Sequence, residues 1–151
     1  NNVAHSLMIG GAKTGMHVTV ATPADYQPKD WVVEWARRDA GETGATVELT
    51  TDLRGAVSGA DVIYTDTWTS MGQEAEAAVR EQRLADFQVN ADLVATAGEQ
   101  ARVMHCLPAH WGKEITEDVL YSPQSIVFDQ AENRLDNAMA VLLWCTGGGK
   151  S

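Results

Sequence analysis

Short runs of β-branched and apolar residues alternate with segments of helical periodicity along the chain, and this alternation limits the fold more than any other feature. Strands are predicted at residues 17–21, 46–50, 61–65, 102–106 and 125–128. Helices are predicted at residues 1–15, 28–41, 52–59, 74–85, 90–98, 116–120 and 131–144. Strands that alternate with helices pair in parallel through right-handed crossovers. The sequence therefore predicts an α/β fold with a doubly wound, mostly parallel, Rossmann-like three-layer sheet.

Several helix boundaries have local signals of their own. Asn at the start of the chain, Asp52 and Asn90 are good N-caps, and Pro28 is favoured at a first helical position. The last predicted helix carries apolar residues on one face. That face consists of Ala131, Leu135, Ala138, Met139 and Leu142.

The charge and cysteine content exclude several functional classes. Among 151 residues, 21 Asp and Glu outnumber 11 Lys and Arg, and the net charge of -10 argues against binding to nucleic acid or to an anionic membrane surface. No apolar run approaches the length of a membrane span. The 2 cysteines suggest no disulfide framework and a reducing compartment. We expect a cytoplasmic protein, with the mitochondrial matrix as the alternative.

The two ends of the chain lead to further expectations. A doubly wound unit normally enters its first ligand-facing helix from a strand, and no strand precedes Asn1. We therefore expect a missing strand, and with it a whole preceding domain. Residues 146–151 faintly resemble a phosphate loop but lack the first glycine at the required spacing, so we expect a flexible tail.

The segment at residues 103–110 is the strongest candidate for chemistry. Cys106 and Leu107 fall at the C-terminal end of a predicted buried strand, where open α/β sheets bind their ligands. Taken alone, Cys106 is better explained as a small buried apolar side chain. A cysteine nucleophile with a histidine base is possible, but neighbouring strand residues point to opposite faces, so His105 is poorly placed to activate Cys106. The spacing of His105, Cys106 and His110 matches no structural zinc pattern, and we predict no metal.

Polar residues at other strand and helix ends give the second part of the candidate site. Asp66 directly follows a strand and is suited to hold an ammonium group, although capping a turn is the commoner role. The same loop offers the Ser70 hydroxyl and the backbone beside Met71, which have the simpler roles of starting a helix and packing in the core. Asn1 and Asn2 present carboxamides at a helix N-terminus, where they also serve as plain caps.

Arg134 adds a cation at the start of the last predicted helix. Its ordinary role is a surface ion pair with Glu132 or Asp136. The joint pattern is more specific than any one residue, because a carboxylate, a thiol, carboxamides, a hydroxyl and a guanidinium all come from C-terminal strand edges or helix N-termini. Such a set suits a small zwitterion with a second reacting group.

Four motifs in register resemble the C-terminal, ornithine-binding domain of the ornithine carbamoyltransferase family. They are Asn-Asn-Val-Ala-His-Ser at residues 1–6, Asp-Thr-Trp-Thr-Ser-Met-Gly-Gln-Glu at 66–74, His-Cys-Leu-Pro-Ala-His at 105–110 and Ala-Glu-Asn-Arg-Leu at 131–135. The Ser-Met-Gly loop discriminates best, since relatives that act on putrescine, acetylated ornithine or aspartate differ there. The resemblance implies an ornithine-binding domain at residues 1–145.

The resemblance also implies roles for individual residues. Asn2, Asp66, Ser70 and Met71 would hold the α-amino and α-carboxylate groups of L-ornithine. Cys106 and Leu107 would border both substrates, with a cis Leu107–Pro108 bond, and Arg134 would reach carbamoyl phosphate. Cys106 and Asp66 would be the catalytic pair, with the thiol orienting the amine. The implied reaction is attack of the neutral δ-amine on the carbamoyl carbon, giving citrulline and phosphate without a cofactor.

The sequence departs from the family pattern in two ways. Trp111 stands where many relatives have arginine, and the Ser-Thr-Arg-Thr-Arg and His-Pro-x-Gln motifs of the N-terminal carbamoyl phosphate domain are absent. In the family that domain also builds most of the trimer. We therefore expect that this chain cannot catalyse the carbamoyl transfer by itself. A non-catalytic amino-acid-binding or scaffolding domain, or a carbamoyltransferase for another amine, is the alternative.

Overall fold

The computed structural model of the chain describes residues 1–69 and 74–147. Within these residues it contains four strands, β1 Val18–Ala21, β2 Val47–Thr50, β3 Val62–Thr65 and β4 Arg102–His105. Its α-helices are α1 Asn2–Lys13, α2 Asp30–Thr43, α3 Leu53–Val57, α4 Ala77–Leu84, α5 Ala91–Ala97, α6 Glu117–Leu120 and α7 Val127–Cys145. Short 3-10 turns cover Ala24–Tyr26, Glu74–Glu76 and Ala85–Phe87.

The strands pair in parallel, as the sequence predicts. β1 pairs with β2 from Val18 opposite Val47, and β3 pairs with β4 from Val62 opposite Arg102. Helix α2 connects the first pair, and α4 and α5 lie between the strands of the second. Parallel neighbours need such crossovers because the chain must return to the starting edge before each new strand. The α/β class is therefore confirmed, with the described strands forming two parallel pairs.

Two apolar clusters hold these pairs against their helices. One joins α1 and α2 to the first strand pair, and Met8, Val32 and Ala36 are fully buried in it. The other joins α3, α5 and α6 to the second pair, around fully buried Val103 and Ile115. Leu107 and Ala109, which follow β4, pack against this second cluster.

The strand predicted at residues 125–128 is wrong. A single bridge joins Ser125 to Val103, and α7 begins at Val127 instead of 131. The ladder along that edge of β4 nevertheless continues, because the side-chain oxygen of Gln130 accepts a hydrogen bond from the His105 N–H at 3.1 Å. A carboxamide reproduces the geometry of a backbone carbonyl, so a helical residue takes the place of the next strand residue.

The predicted helix caps are mostly correct. Asn1, Asp52 and Asn90 each accept a hydrogen bond from a backbone N–H in the first turn of their helices. Pro28 is not the first helical residue, since Lys29 is the N-cap and α2 begins at Asp30. The helix predicted at 74–85 is α-helical only over Ala77–Leu84, with 3-10 turns at both ends.

The apolar face of α7 is largely exposed in the described part of the chain. Leu135 is 66% exposed, Met139 48% and Leu142 64%. Only Val127, in the first turn, is buried in the core. The helix predicted to carry these apolar residues on one face is present, and that face is mostly exposed in the described part of the chain. None of the described helices combines the length and hydropathy of a membrane span.

Candidate active site at the ends of strands β3 and β4

The C-terminal ends of β3 and β4 bring Asp66 and Cys106 into contact. The two strands are in register up to Thr65 and His105, so the next residue of each lies at the same sheet edge. The Cys106 thiol donates a hydrogen bond to Asp66 Oδ1 over 2.8 Å. The same oxygen accepts the Thr67 N–H at 2.7 Å, so Asp66 also has the turn-capping role that is common for Asp after a strand.

The second oxygen of Asp66 is held by the start of α1. Asn1 donates from Nδ2 to Asp66 Oδ2 at 2.7 Å, while its Oδ1 accepts the N–H of Ala4 at 2.8 Å. A single side chain thus caps a helix and orients the carboxylate. The sequence predicts Asn1 as a cap or anion binder, and the family resemblance implies an ornithine contact for Asn2, which lies exposed in the first turn. No local signal indicates the Asn1–Asp66 contact, because it joins residues 65 positions apart.

The environment of Cys106 keeps its thiol protonated at neutral pH. Burial, and then the hydrogen bond and charge of Asp66, raise the pKa of Cys106 to about 12, against smaller lowering by its own backbone and the Tyr64 hydroxyl. A thiolate is the nucleophilic form of cysteine. Cys106 is therefore built as a hydrogen-bond donor and not as a nucleophile.

A buried His105–Glu114 pair supports the loop from the opposite face of β4. Nδ1 of His105 accepts the Leu107 N–H at 2.8 Å, so the ring proton lies on Nε2, which faces Glu114 Oε1 at 3.2 Å. The same oxygen accepts the His110 N–H at 2.6 Å. His105 thus points away from the thiol, as the strand alternation predicts.

This pair fixes an unusual backbone. Leu107 has a φ of 56°, and its bond to Pro108 is cis, as the resemblance implies. Left-handed φ is unfavourable for a residue with a Cβ, so the surrounding contacts must hold it in place. Burial raises the pKa of Glu114, but the His105 and His110 hydrogen bonds outweigh it and hold that pKa below its usual range. A carboxylate at Glu114 therefore anchors both ends of the loop.

The loop borders an open cavity of about 680 Å³ that also contains Arg134. Arg134 lies on α7, and it forms no ion pair with Glu132 or Asp136 among the described residues, contrary to its ordinary expectation. The structure therefore brings Cys106, Leu107 and Arg134 to one concave surface. Trp111 lies at the same surface, 56% exposed, with its ring edge-on to Tyr121 at 6.0 Å.

The arrangement offers separate positions for opposite charges. The Asp66 carboxylate is held by Asn1, and Arg134 supplies a guanidinium in the cavity that the thiol loop borders. Such a site accepts an ammonium at one end and an anion at the other. The predicted residues Ser70 and Met71 lie outside the described residues, and Asn2 remains a prediction. Across residues 1–69 and 74–147 no cluster of side chains suited to a metal ion occurs.

Comparison with known proteins gives consistent similarities. The sequence pattern of the aspartate/ornithine carbamoyltransferase Asp/Orn-binding domain matches residues 1–145. The chain is 56% identical over 144 residues to an ornithine carbamoyltransferase of Mycolicibacterium smegmatis, covering 95% of this chain and 47% of that protein. It is 56% identical over 150 residues to the anabolic ornithine carbamoyltransferase of Pyrococcus furiosus, covering 99% and 48%.

A solved structure agrees with these sequences. The ornithine carbamoyltransferase from Pyrococcus furiosus superposes with a TM-score of 0.90 at 55% identity, over 97% of this chain and 47% of that one. The chain thus spans about half the length of the curated relatives that it matches.

Proposed function

Because the chain belongs to the aspartate/ornithine carbamoyltransferase family, we propose that it is the ornithine-binding half of an ornithine carbamoyltransferase. In this proposal the complete enzyme transfers the carbamoyl group of carbamoyl phosphate to the δ-amine of L-ornithine, a step of arginine biosynthesis. The products are L-citrulline and phosphate. We further propose a trimeric, cytoplasmic enzyme that needs no cofactor.

The contact between Asp66 and Cys106 is the observation that carries the proposal. It joins two family motifs that lie 40 residues apart in the chain and places a carboxylate beside a protonated thiol. Asp66 has its own orientation fixed by Asn1, so it is ready to receive a substrate ammonium without reorganisation. The diamino acid then lies along the rim, with Asp66, Ser70, Met71 and Asn2 holding its α-substituents.

The chemical step requires mostly positioning and charge stabilisation. The lone pair of the neutral δ-amine forms a bond to the carbamoyl carbon, the carbonyl oxygen takes negative charge, and the C–O bond to phosphate then breaks with its electron pair leaving on phosphate. The carbonyl double bond re-forms as that bond breaks, and the surplus proton of the nitrogen passes to the departing phosphate. A thiol that remains protonated donates a hydrogen bond and forms no covalent intermediate. Arg134 complements the anionic phosphate.

The exposed face of α7 supports a role for a second half. Large apolar side chains that are half exposed or more cost free energy in water and normally mark a contact surface. The chain also covers only 47% of its relative's length. We propose that the carbamoyl phosphate half packs near this face and completes the site, so the chain alone forms no citrulline.

Calorimetric titration with L-ornithine tests the binding proposal. Asp66→Ala should abolish the heat of binding while circular dichroism remains unchanged. Asp61→Ala is the matched control, since Asp61 is an exposed acid at the opposite end of the same strand and its variant should bind normally. Unchanged affinity in Asp66→Ala removes Asp66 from the site.

Reconstitution tests the catalytic proposal. Adding a separately produced carbamoyl phosphate half from a relative should restore citrulline formation, whereas binding without turnover supports an amino-acid-binding or scaffolding domain. A thermal shift with putrescine or N-acetylornithine, and none with L-ornithine, supports a carbamoyltransferase for another amine. Citrulline formation by this chain alone, at a rate near that of an intact enzyme, contradicts the need for a second half.

A further inference from the structure

The hydroxyl of Tyr64 lies between helix α7 and the Cys106 thiol, and the proposed chemistry leaves it without a role. Tyr64 lies in β3, and Asp66 follows that strand directly. The two residues are two positions apart, so their side chains project from the same face. Tyr64 is opposite Met104 in the β3–β4 register, so Cys106, two residues later, projects from that face as well. The strand geometry therefore places the phenol, the carboxylate and the thiol together.

Helix α7 fixes the direction of the hydrogen bond to Tyr64. Gln130 donates from Nε2 to the Tyr64 hydroxyl oxygen at 2.9 Å. A flip of the Gln130 amide would place its NH2 group against the N–H of His105, where only an acceptor can form a hydrogen bond. The Oε1 atom, which accepts from His105, therefore fixes the orientation of the amide. The Tyr64 oxygen thus accepts from the helix, and its own proton is left for another partner.

The Cys106 sulfur projects from the same face of the strand pair and is the acceptor that the strand register offers to this proton. The Tyr64 hydroxyl lowers the pKa of Cys106, as a donor to its sulfur does, while burial and the charge of Cys106 raise the pKa of Tyr64. Gln130 donates to Tyr64 and Cys106 donates to Asp66, so donation from Tyr64 to the Cys106 sulfur would join the two hydrogen bonds into one chain that runs in a single direction. Hydrogen bonds aligned in one direction polarise one another.

We propose that Tyr64 and Gln130 are positioning residues that orient the Cys106 thiol toward Asp66, with Gln130 acting through the Tyr64 hydroxyl. Only the use of the thiol in carbamoyl transfer rests on the proposed function. Arg134 follows Gln130 by one helical turn on α7. Helix α7 therefore carries both the Arg134 guanidinium and the residue that sets the orientation of the thiol through Tyr64.

The rate of Cys106 reaction with a small neutral disulfide, in a Cys145→Ser background, tests the first step. Tyr64→Phe removes one oxygen and so cannot make the sulfur less accessible; a purely steric effect would therefore accelerate the reaction. The proposal predicts the opposite, because the thiolate loses a hydrogen-bond donor that stabilises it. The reaction should slow by roughly twofold to tenfold. Tyr26→Phe is the matched control and should leave the rate unchanged. The S–H stretching frequency of Cys106 gives a second measurement, and it should rise in Tyr64→Phe.

A double-mutant cycle tests whether Gln130 acts through Tyr64. Gln130→Glu retains an acceptor for the His105 N–H but replaces the donor to Tyr64 by a second acceptor, which draws the phenolic proton away from sulfur. The reaction should slow in the Tyr64 background and show no further slowing in the Tyr64→Phe background.

An unchanged or faster rate in Tyr64→Phe, or a Gln130→Glu effect that persists without the hydroxyl, overturns the proposal. A purely structural role predicts losses that add and an unshifted S–H frequency. These measurements use no substrate, so their failure leaves the ornithine titration of Asp66→Ala to decide the proposed function separately.

Discussion

Removing the Glu114 carboxylate should destabilise the domain more than any other single polar deletion in the site. Glu114→Ala leaves the Nε2–H of His105 and the backbone N–H of His110 without the oxygen that accepts both. An unpaired buried donor costs about 1–3 kcal/mol, and breaking a buried pair costs about 3–5 kcal/mol. We therefore expect a loss of about 3–5 kcal/mol, a large part of the roughly 5–15 kcal/mol available to a domain.

Urea unfolding followed by tryptophan fluorescence and circular dichroism measures this loss. Glu114→Gln should cost less than Glu114→Ala, because the carboxamide oxygen still accepts the two hydrogen bonds. Its nitrogen takes the position of Oε2, which has no partner among the described residues, so some destabilisation should remain. Exposed Glu99→Ala is the matched control and should change stability by less than about 0.5 kcal/mol.

The contribution of Glu114 to stability should depend on pH. The pKa of Glu114 is held below its usual range in the folded protein, so its contribution is complete above about 4.3, the value in an unfolded chain. It is lost as the pH falls from there through the folded-state pKa. Glu114→Gln should therefore lose less stability than the unsubstituted chain over that acidic interval. A cost below about 1 kcal/mol for Glu114→Ala would refute the anchoring role.

Three further predictions concern other parts of the fold. Cys106 has a pKa of about 12, against 9.0 for an ordinary thiol, and should react with a small disulfide at pH 8 about 30- to 60-fold more slowly than exposed Cys145. The higher nucleophilicity of its thiolate only partly offsets the smaller thiolate fraction. Equal rates at the two cysteines, resolved by peptide mass spectrometry, contradict the assigned environment. In α1, Gly11→Ala places a Cβ 2.5 Å from Val18 Cγ2 and should destabilise the domain by about 1–3 kcal/mol. The Cβ of Gly10→Ala meets nothing within 4 Å, so that variant should stabilise the domain by about 0.5–1 kcal/mol. Thermal midpoints that shift in the same direction in both variants would disprove the packing of α1 on β1. Asn1→Ala and Asn90→Ala should each lower the free energy of unfolding by about 1 kcal/mol, because each removes a helix cap. Only Asn1→Ala should also weaken L-ornithine binding several-fold, because Asn1 holds Asp66. Equal affinities in the two variants would show that Asn1 is a cap alone.

The sequence by itself determined the features that depend on neighbouring residues. Parallel strands at β1 to β4 follow from β-branched runs, and the caps at Asn1, Asp52 and Asn90 act on N–H groups three residues away. The sheet edge carrying the candidate site is equally predictable, because parallel strands end on the same side. The sequence therefore predicts that Cys106 and Asp66 lie at the same edge of the sheet.

Only the tertiary structure decided the hydrogen bonds that set the chemistry. The contacts of Asp66 with Asn1 and of Tyr64 with Gln130 join residues 65 and 66 positions apart, and neither leaves a periodicity or a spacing in the sequence. The predicted last strand failed for a related reason, since the Gln130 side chain continues the β4 ladder from a helix. Local propensity selects the elements, but the direction of each proton in the site depends on which side chains the packed elements bring within 3 Å of one another.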